Sequence, residues 1–287
     1  MPAWTAFAAV SLSVLLVLLL LARASESAVT TKQSSAEHPT VAAHEHDQPP
    51  YSTTDVESDS DMNQPHADGG ESAVATDNGR LGQQTEQGVS TGLLLANVAF
   101  SQGLFAGILI IALWLTNVPV SAIGADLTVT TADAVGLGVV TGLVLYILNE
   151  LGASHAKQWG LTGSEALRGA LTPDGVAGWL VLLFVVLPII AGFEELLFRG
   201  ILIGALHVGF DVPLWLLAIG SSVAFGVGHG AQGRVGMVVT GTLGLVLAWL
   251  FIVTNSLFAV IIAHYIVNAL EFVIHEGIGW EPFETEP

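Results

Sequence analysis

The chain has 287 residues, of which 52% are hydrophobic and 11% are charged, and its mean hydropathy is +0.67. Soluble domains carry about 25% charged residues, so the composition indicates a membrane protein. The net charge is nevertheless −18, and no cysteine is present. Disulfides, thiolate metal ligands and a cysteine nucleophile are therefore excluded, and the acidic balance argues against a nucleic-acid partner.

Residues 1–24 form an apolar N-terminal segment. Trp4 to Leu21 is uncharged and about long enough to span a bilayer. Ala22-Arg23-Ala24 resembles a small-residue cleavage site, which favours a signal peptide. No basic residue precedes the apolar run, which favours a retained signal anchor instead. Both interpretations stay open at this point.

Residues 25–90 hold most of the excess charge. They contain 12 acidic side chains against Lys32 and Arg80, and their one leucine is Leu81. A segment so poor in apolar residues cannot bury enough surface to offset its ordering entropy. The composition predicts a disordered acidic linker between the N-terminal helix and the rest of the chain.

Residues 91–287 are predicted to form a polytopic all-α membrane bundle. About six core helices follow from the uncharged runs, because Thr254-Asn255-Ser256 divides a final run that is too long for one crossing. The basic residues Lys157 and Arg168 favour a cytoplasmic loop between residues 152 and 174. The runs are Gly92–Thr116, Ala134–Asn149, Gly175–Phe193, Val212–Gly228 and the two halves of Val235–Leu270.

Two adjacent glutamates follow one of these apolar runs. On a helix, Glu195 and Arg199 are four residues apart and share a face, so the spacing predicts an ion pair. Glu194 is turned about 100° away and has no local cation. Ionisable groups in membrane segments are costly and mark functional sites. The pattern predicts one structural glutamate and one that accepts a proton from a reactant.

Histidines occur in two further apolar runs. His229 ends the run Val212–Gly228, and Phe225 lies one turn earlier on the same face. His264 and Asn268 are four residues apart in the last run. Glu271 and His275 continue that polar stripe, which is predicted to face the groups around Glu194 and His229 rather than lipid.

The order EExxxR, FxxxH and HxxxN resembles the CPBP family of intramembrane proteases. That family includes the type II CAAX prenyl endopeptidases and the bacteriocin-processing or self-immunity (ABI) proteins. The motif residues span Glu194–Asn268, and the resemblance implies a motif-bearing core of about residues 130–277. The motif residues are Glu194, Glu195, Arg199, Phe225, His229, His264 and Asn268.

The resemblance implies a role for each polar motif residue. Glu194 would activate water for attack on a peptide bond. Glu195 and Arg199 would hold the local geometry, with Glu195 also available as an auxiliary base. The two motif histidines would line a water or metal site, and the motif asparagine would help to stabilise the oxyanion.

The donor types leave the cofactor open. Glu194, His229 and His264 match the three protein ligands of a catalytic site for a divalent metal such as zinc. The zinc-protease signature HExxH is absent from the sequence, which favours a metal-independent water mechanism.

The resemblance implies a multi-pass protein of the cell membrane that acts on a membrane-associated protein or peptide. The substrate would be a prenylated C terminus or a leader peptide. Two alternatives use the same residues: a transporter or proton channel with a relay through Glu194, His229, His264 and Glu271, and a non-catalytic immunity or scaffold protein. A serine nucleophile at Ser221 or Ser222 also stays open, whereas no intramembrane aspartate pair exists.

Overall fold

The computed structural model describes residues 1–37, 90–125, 132–158 and 165–280. The described residues are 89% helical and contain no strand, which confirms the predicted all-α polytopic bundle. We number the eight helices in chain order as α1 Trp4–Glu37, α2 Thr91–Leu115, α3 Ala132–Gln158, α4 Glu165–Leu171, α5 Val176–Phe210, α6 Leu214–Gly228, α7 Gly233–Thr254 and α8 Leu257–Ile278.

Six of these helices are long and apolar enough to cross a membrane. They are α1, α2, α3, α5, α7 and α8. The apolar helix α6 has 15 residues, or about 22 Å at 1.5 Å per residue, and so is shorter than a bilayer core. The six predicted core segments each correspond to one helix, and the chain is a multi-pass membrane protein.

Helix α1 packs against the described bundle. Phe7 and Val14 are buried in the main apolar core, and the Ala3 N–H donates to the Thr116 carbonyl at 2.8 Å. The helix continues past residue 24 to Glu37, because no glycine or proline interrupts the sequence before residue 39. Residues 38–89, most of the predicted acidic linker, lie outside the described residues.

Helices α7 and α8 are separated where the sequence predicts a break. Asn255 ends α7 with a left-handed φ of 47°, a conformation that asparagine tolerates better than most residues. Ser256 then caps α8, because its side chain accepts the Ala259 N–H at 3.3 Å. The long final run therefore forms two membrane helices.

Helix α5 is longer than its uncharged run. The uncharged run ends at Phe193, whereas the helix continues to Phe210 through a π-helical stretch, Leu196–Ala205, in which every residue is buried. Asp211 ends it in a left-handed conformation. The two glutamates consequently lie inside a membrane helix and not at its end. π-helical insertions are frequent at functional sites.

Helix α3 packs tightly on α8 through two glycines. A Cβ atom at Gly138 would lie 2.6 Å from the Ala259 carbonyl oxygen, and one at Gly142 would lie 2.8 Å from that of Ala263. Small residues let membrane helices approach this closely. This glycine pair therefore lets α3 pack closely against α8, the helix that contains His264.

Candidate active site

Glu195 is the centre of a buried polar network. Its Oε1 atom lies 2.6 Å from Arg199 Nη1 and 2.6 Å from His264 Nδ1. The predicted pair of Glu195 and Arg199 is thus present, and both side chains are fully buried. The contact with His264 joins α5 to α8, a link that spacing within one helix does not reveal.

Arg199 is held by groups from three helices. Its Nη2 donates to the Gly244 carbonyl of α7 at 3.1 Å, and its guanidinium carbon lies 4.5 Å from the centre of the Phe225 ring. A Cβ atom at Gly244 would lie 3.0 Å from the Phe225 ring and 3.2 Å from Arg199 Nη2. Sequence reasoning missed Gly244, because a glycine in an apolar helix carries no chemical signal.

Glu194 has a different environment from its neighbour. Its Oε2 atom is buried and makes no hydrogen bond to any described residue. His264 Nε2 lies 3.7 Å from that oxygen, which is beyond direct hydrogen-bond distance. His264 therefore stands between the two glutamates, with one ring nitrogen bound to Glu195 and the other facing Glu194. A water molecule beside this pair, rather than between its two atoms, would bind both.

Phe225 connects the motifs of α6 and α8. Its ring contacts His229 edge-to-face with centroids 4.6 Å apart, and it meets His264 at right angles with centroids 5.9 Å apart. His229 Nδ1 lies 2.8 Å from the Phe225 carbonyl oxygen. Because the neutral ring then carries its proton on Nδ1, the bond leaves Nε2 as an acceptor; a protonated ring would offer Nε2 as a donor.

Asn268 lies one turn beyond His264 on α8 and is half-buried. Its carboxamide forms no hydrogen bond with any residue of the described ranges. It is therefore free to bind a group that enters the site.

The three candidate metal ligands fit a divalent metal by type but not by distance. Among the described residues, the donor atoms of Glu194, His229 and His264 do not all lie within 4.8 Å of one another. Glu194 Oε2 and His264 Nε2 lie 3.7 Å apart. The metal assignment stays a prediction.

The polar stripe of α8 divides between two clusters, and this differs from the predicted arrangement. Glu271 does not reach the site: Arg168 Nη1 donates to its Oε2 at 2.9 Å, and Asn149 donates to its Oε1. His275 Nε2 lies 2.8 Å from Glu150 Oε1. The reason is that Asn149 and Glu150 of α3 and Arg168 of α4 lie at the end of α8 and bind these side chains.

Arg168 is the cation of this second cluster. Its Nε donates to Glu276 Oε1 at 2.9 Å in addition to the bond with Glu271. Burial alone would lower the pKa of Arg168, but the hydrogen bonds and charges of Glu276 and Glu271 outweigh it and raise that pKa. The residue whose charge favours a cytoplasmic loop is thus also a structural ion-pair partner.

Neither intramembrane serine has the geometry of a nucleophile. Ser221 Oγ donates to the Phe198 carbonyl at 2.5 Å, and Ser222 Oγ donates to the Ala218 carbonyl at 2.7 Å. Neither hydroxyl bonds to a histidine of the described chain. Both hydroxyls satisfy backbone carbonyls in an apolar setting.

Fold and site together define a multi-pass membrane protein with a buried glutamate–histidine centre. Residues 176–270 match the family described as type II CAAX prenyl endopeptidase Rce1-like, a segment that contains all three motifs. Searches of curated proteins and of solved structures found no match. This match supports the resemblance to the CPBP family of intramembrane proteases that the motifs indicate.

Proposed function

We propose that this protein is an intramembrane endopeptidase in which Glu194 activates the attacking water. The main support is that the two adjacent glutamates differ in their hydrogen-bond partners. Glu195 Oε1 accepts from Arg199 and His264, although Glu195 Oε2 has no partner among the described residues. Glu194 accepts from no described residue, and its buried Oε2 faces His264 Nε2. A carboxylate without a hydrogen-bonded cation, beside an imidazole and within membrane helices, is suited to take a proton.

Glu195 serves as the residue that orients His264. Because the carboxylate accepts from Nδ1, the neutral imidazole carries its proton there and presents the Nε2 lone pair towards Glu194. Arg199 offsets the charge of Glu195 in the same buried site. This division of labour supports Glu194 as the base and Glu195 as a positioning residue.

The hydrolytic steps then follow from the position of these groups. A water molecule at Glu194 Oε2 and His264 Nε2 transfers a proton to Glu194 while its oxygen bonds to the substrate carbonyl carbon. The Asn268 N–H, and His229 Nε2 when that ring is protonated, are the donors available for the developing oxyanion. When the C–N bond breaks, Glu194 returns the proton to the leaving amine nitrogen, which completes the hydrolysis.

The substrate class is proposed from the family description. A CAAX-type peptide is a chain whose prenylated cysteine is followed by three residues, and cleavage releases those three. A leader peptide is the competing class. The test is to incubate the purified chain in vesicles with a farnesylated CAAX peptide, the same peptide without the lipid, and an unmodified transmembrane peptide. Preferential cleavage of the first supports CAAX processing, and cleavage of none contradicts the proposed function.

The proposed mechanism is independent of a metal. The same cleavage assay is repeated after dialysis against a chelator, with metal analysis of the purified protein. Unchanged activity in metal-depleted protein is expected. Loss of activity that added zinc restores would overturn this part of the proposal.

The proton-relay alternative loses support from the separation of the polar groups. Glu271 bonds to Arg168 and Asn149, whereas His264 bonds to Glu195. In the described residues, no hydrogen bond connects these two clusters. A continuous relay through Glu271 therefore has no path in this arrangement. The intact catalytic set likewise argues against a non-catalytic scaffold.

A further inference from the structure

Gln102 is an intramembrane polar residue that none of the three motifs includes. It lies midway along α2, outside the matched segment. Its Oε1 atom is buried and accepts no hydrogen bond from the described residues, and its amide nitrogen likewise donates to none of them. A buried polar atom left unpaired calls for a specific explanation, such as a bound water or ligand.

The packing of α2 fixes the depth of Gln102. Leu95, near the start of α2, packs with the first turns of α5, and further on the Phe105 ring stacks on that of Phe193 with centroids 6.0 Å apart. The two helices therefore run in the same direction. Gln102 lies one turn before Phe105 on the same face. This places it about one turn before Glu194 along the α5 axis.

Asn268 lies at a similar depth on another helix. Helix α8 runs opposite to α5, because His264 meets Glu195 while later α8 residues pack on earlier α5 residues. Asn268, one turn after His264, is thus also about one turn from Glu194 on that side. Residues of α2, α5 and α8 share one apolar cluster there: Leu95, Val98, Ala99, Ile190, Tyr265, Ala269 and Phe272. Two carboxamides without protein partners therefore flank the glutamate–histidine centre on the same side.

We propose that Gln102 binds the backbone of the peptide substrate beside the scissile bond, an inference that rests on the proposed function. A carboxamide offers a C=O acceptor and two N–H donors, and so can pair with both the N–H and the C=O of a peptide group. A peptide that enters a membrane-embedded site loses its water, so its backbone groups require partners from the protein. The apolar residues around Gln102 cannot supply them. Gln102 supplies these hydrogen bonds from α2, while Asn268 donates to the carbonyl oxygen of the bond that is cleaved.

The test uses Gln102→Met, which keeps side-chain length and removes both hydrogen-bonding groups. Steady-state cleavage of a farnesylated CAAX peptide by the full chain in vesicles is compared with wild type. We expect the KM to rise about tenfold and kcat to stay within about twofold, the loss expected for one substrate hydrogen bond. Gln102→Asn keeps the carboxamide on a shorter stem and should recover part of the KM.

The matched control is the neighbouring substitution Ser101→Ala. The Ser101 hydroxyl donates to the Val98 carbonyl of its own helix at 3.1 Å, so its removal should leave KM unchanged. An unchanged melting temperature in each variant shows that α2 still packs. A wild-type KM in Gln102→Met, or an equal rise in Ser101→Ala, would overturn the assignment.

Peptide binding separates failure of this inference from failure of the proposed function. The fluorescent form of the same peptide is titrated into Glu194→Gln protein, with and without Gln102→Met. A Kd about tenfold higher in the double variant supports the role of Gln102, even if no cleavage is detected in wild type. Equal Kd values, or no binding to either protein, would overturn the inference.

Discussion

His264 Nδ1 lies 2.6 Å from Glu195 Oε1, and this contact fixes the imidazole against the residue that directly follows Glu194. The same oxygen also receives Arg199 Nη1. Glu195 therefore binds His264 of α8 and Arg199 of its own helix through one oxygen. A carboxylate that binds one nitrogen of a histidine sets its tautomer and ring orientation.

Glu195→Gln is expected to reduce activity about 10- to 100-fold through loss of His264 orientation. It also removes the charge that compensates the fully buried Arg199, so its melting temperature should fall by several degrees more than that of Glu194→Gln. Thermal unfolding in detergent and cleavage in vesicles measure the two effects. Equal melting temperatures for the two variants would contradict the division between a positioning and a chemical glutamate.

Gly244→Ala is expected to lower activity severalfold, because the added methyl group meets Phe225 at 3.0 Å and Arg199 Nη2 at 3.2 Å. The matched control is Gly103→Ala, where a Cβ atom has no neighbour within 4 Å. Initial cleavage rates of both variants provide the measurement. If the two variants have the same rate, Gly244 does not set the position of Arg199.

Arg168→Met is expected to lower the melting temperature by several degrees without abolishing cleavage. It leaves Glu271 and Glu276 without their cation, and both acidic side chains are only partly exposed. Arg234→Met is the control, because the Arg234 side chain is exposed and has no ion pair within the described residues. An equal fall in the melting temperatures of Arg168→Met and Arg234→Met would show that the cluster around Arg168 adds no stability.

Helix α1 is proposed to remain attached as part of the bundle, which supports the signal-anchor interpretation. Phe7→Ala should lower the melting temperature, since it opens a cavity where the side chain is 1% exposed, whereas Leu16→Ala, at 58% exposure, should not. Intact-mass measurement of protein purified from membranes gives the complementary test. A mass that lacks residues 1–24 would contradict retention.

Spacing within single helices predicted the local features of the site. It placed Glu195 on the same face as Arg199 and Phe225 beside His229, because i,i+4 geometry is fixed by helix periodicity. The polar stripe of α8 was also predicted to face the groups around Glu194, which holds for His264. The individual bonds between helices were not predicted. The bond from His264 to Glu195 and the separate cluster around Glu271 depend on helix packing, which hydropathy does not encode.

The same distinction applies to the fold. Uncharged runs and the Thr254-Asn255-Ser256 break predicted one helix for each of the six core segments. Five of those helices are long enough to cross a bilayer, whereas α6 is shorter. The runs did not predict the π-helical stretch Leu196–Ala205 that follows the two glutamates in α5. The buried Glu195 and Arg199 need hydrogen-bond partners from other helices, which His264 and Gly244 provide. The sequence pattern of a single helix carries no information about such partners.

Cleavage of a farnesylated CAAX peptide by Glu194→Gln protein, in vesicles and beside wild type, tests the central claim most directly. Glutamine keeps the shape of the side chain but cannot take the proton from water, so cleavage should fall by at least about a thousandfold while the melting temperature is retained. Cleavage by the folded variant at the wild-type rate would contradict the assignment of Glu194 as the base.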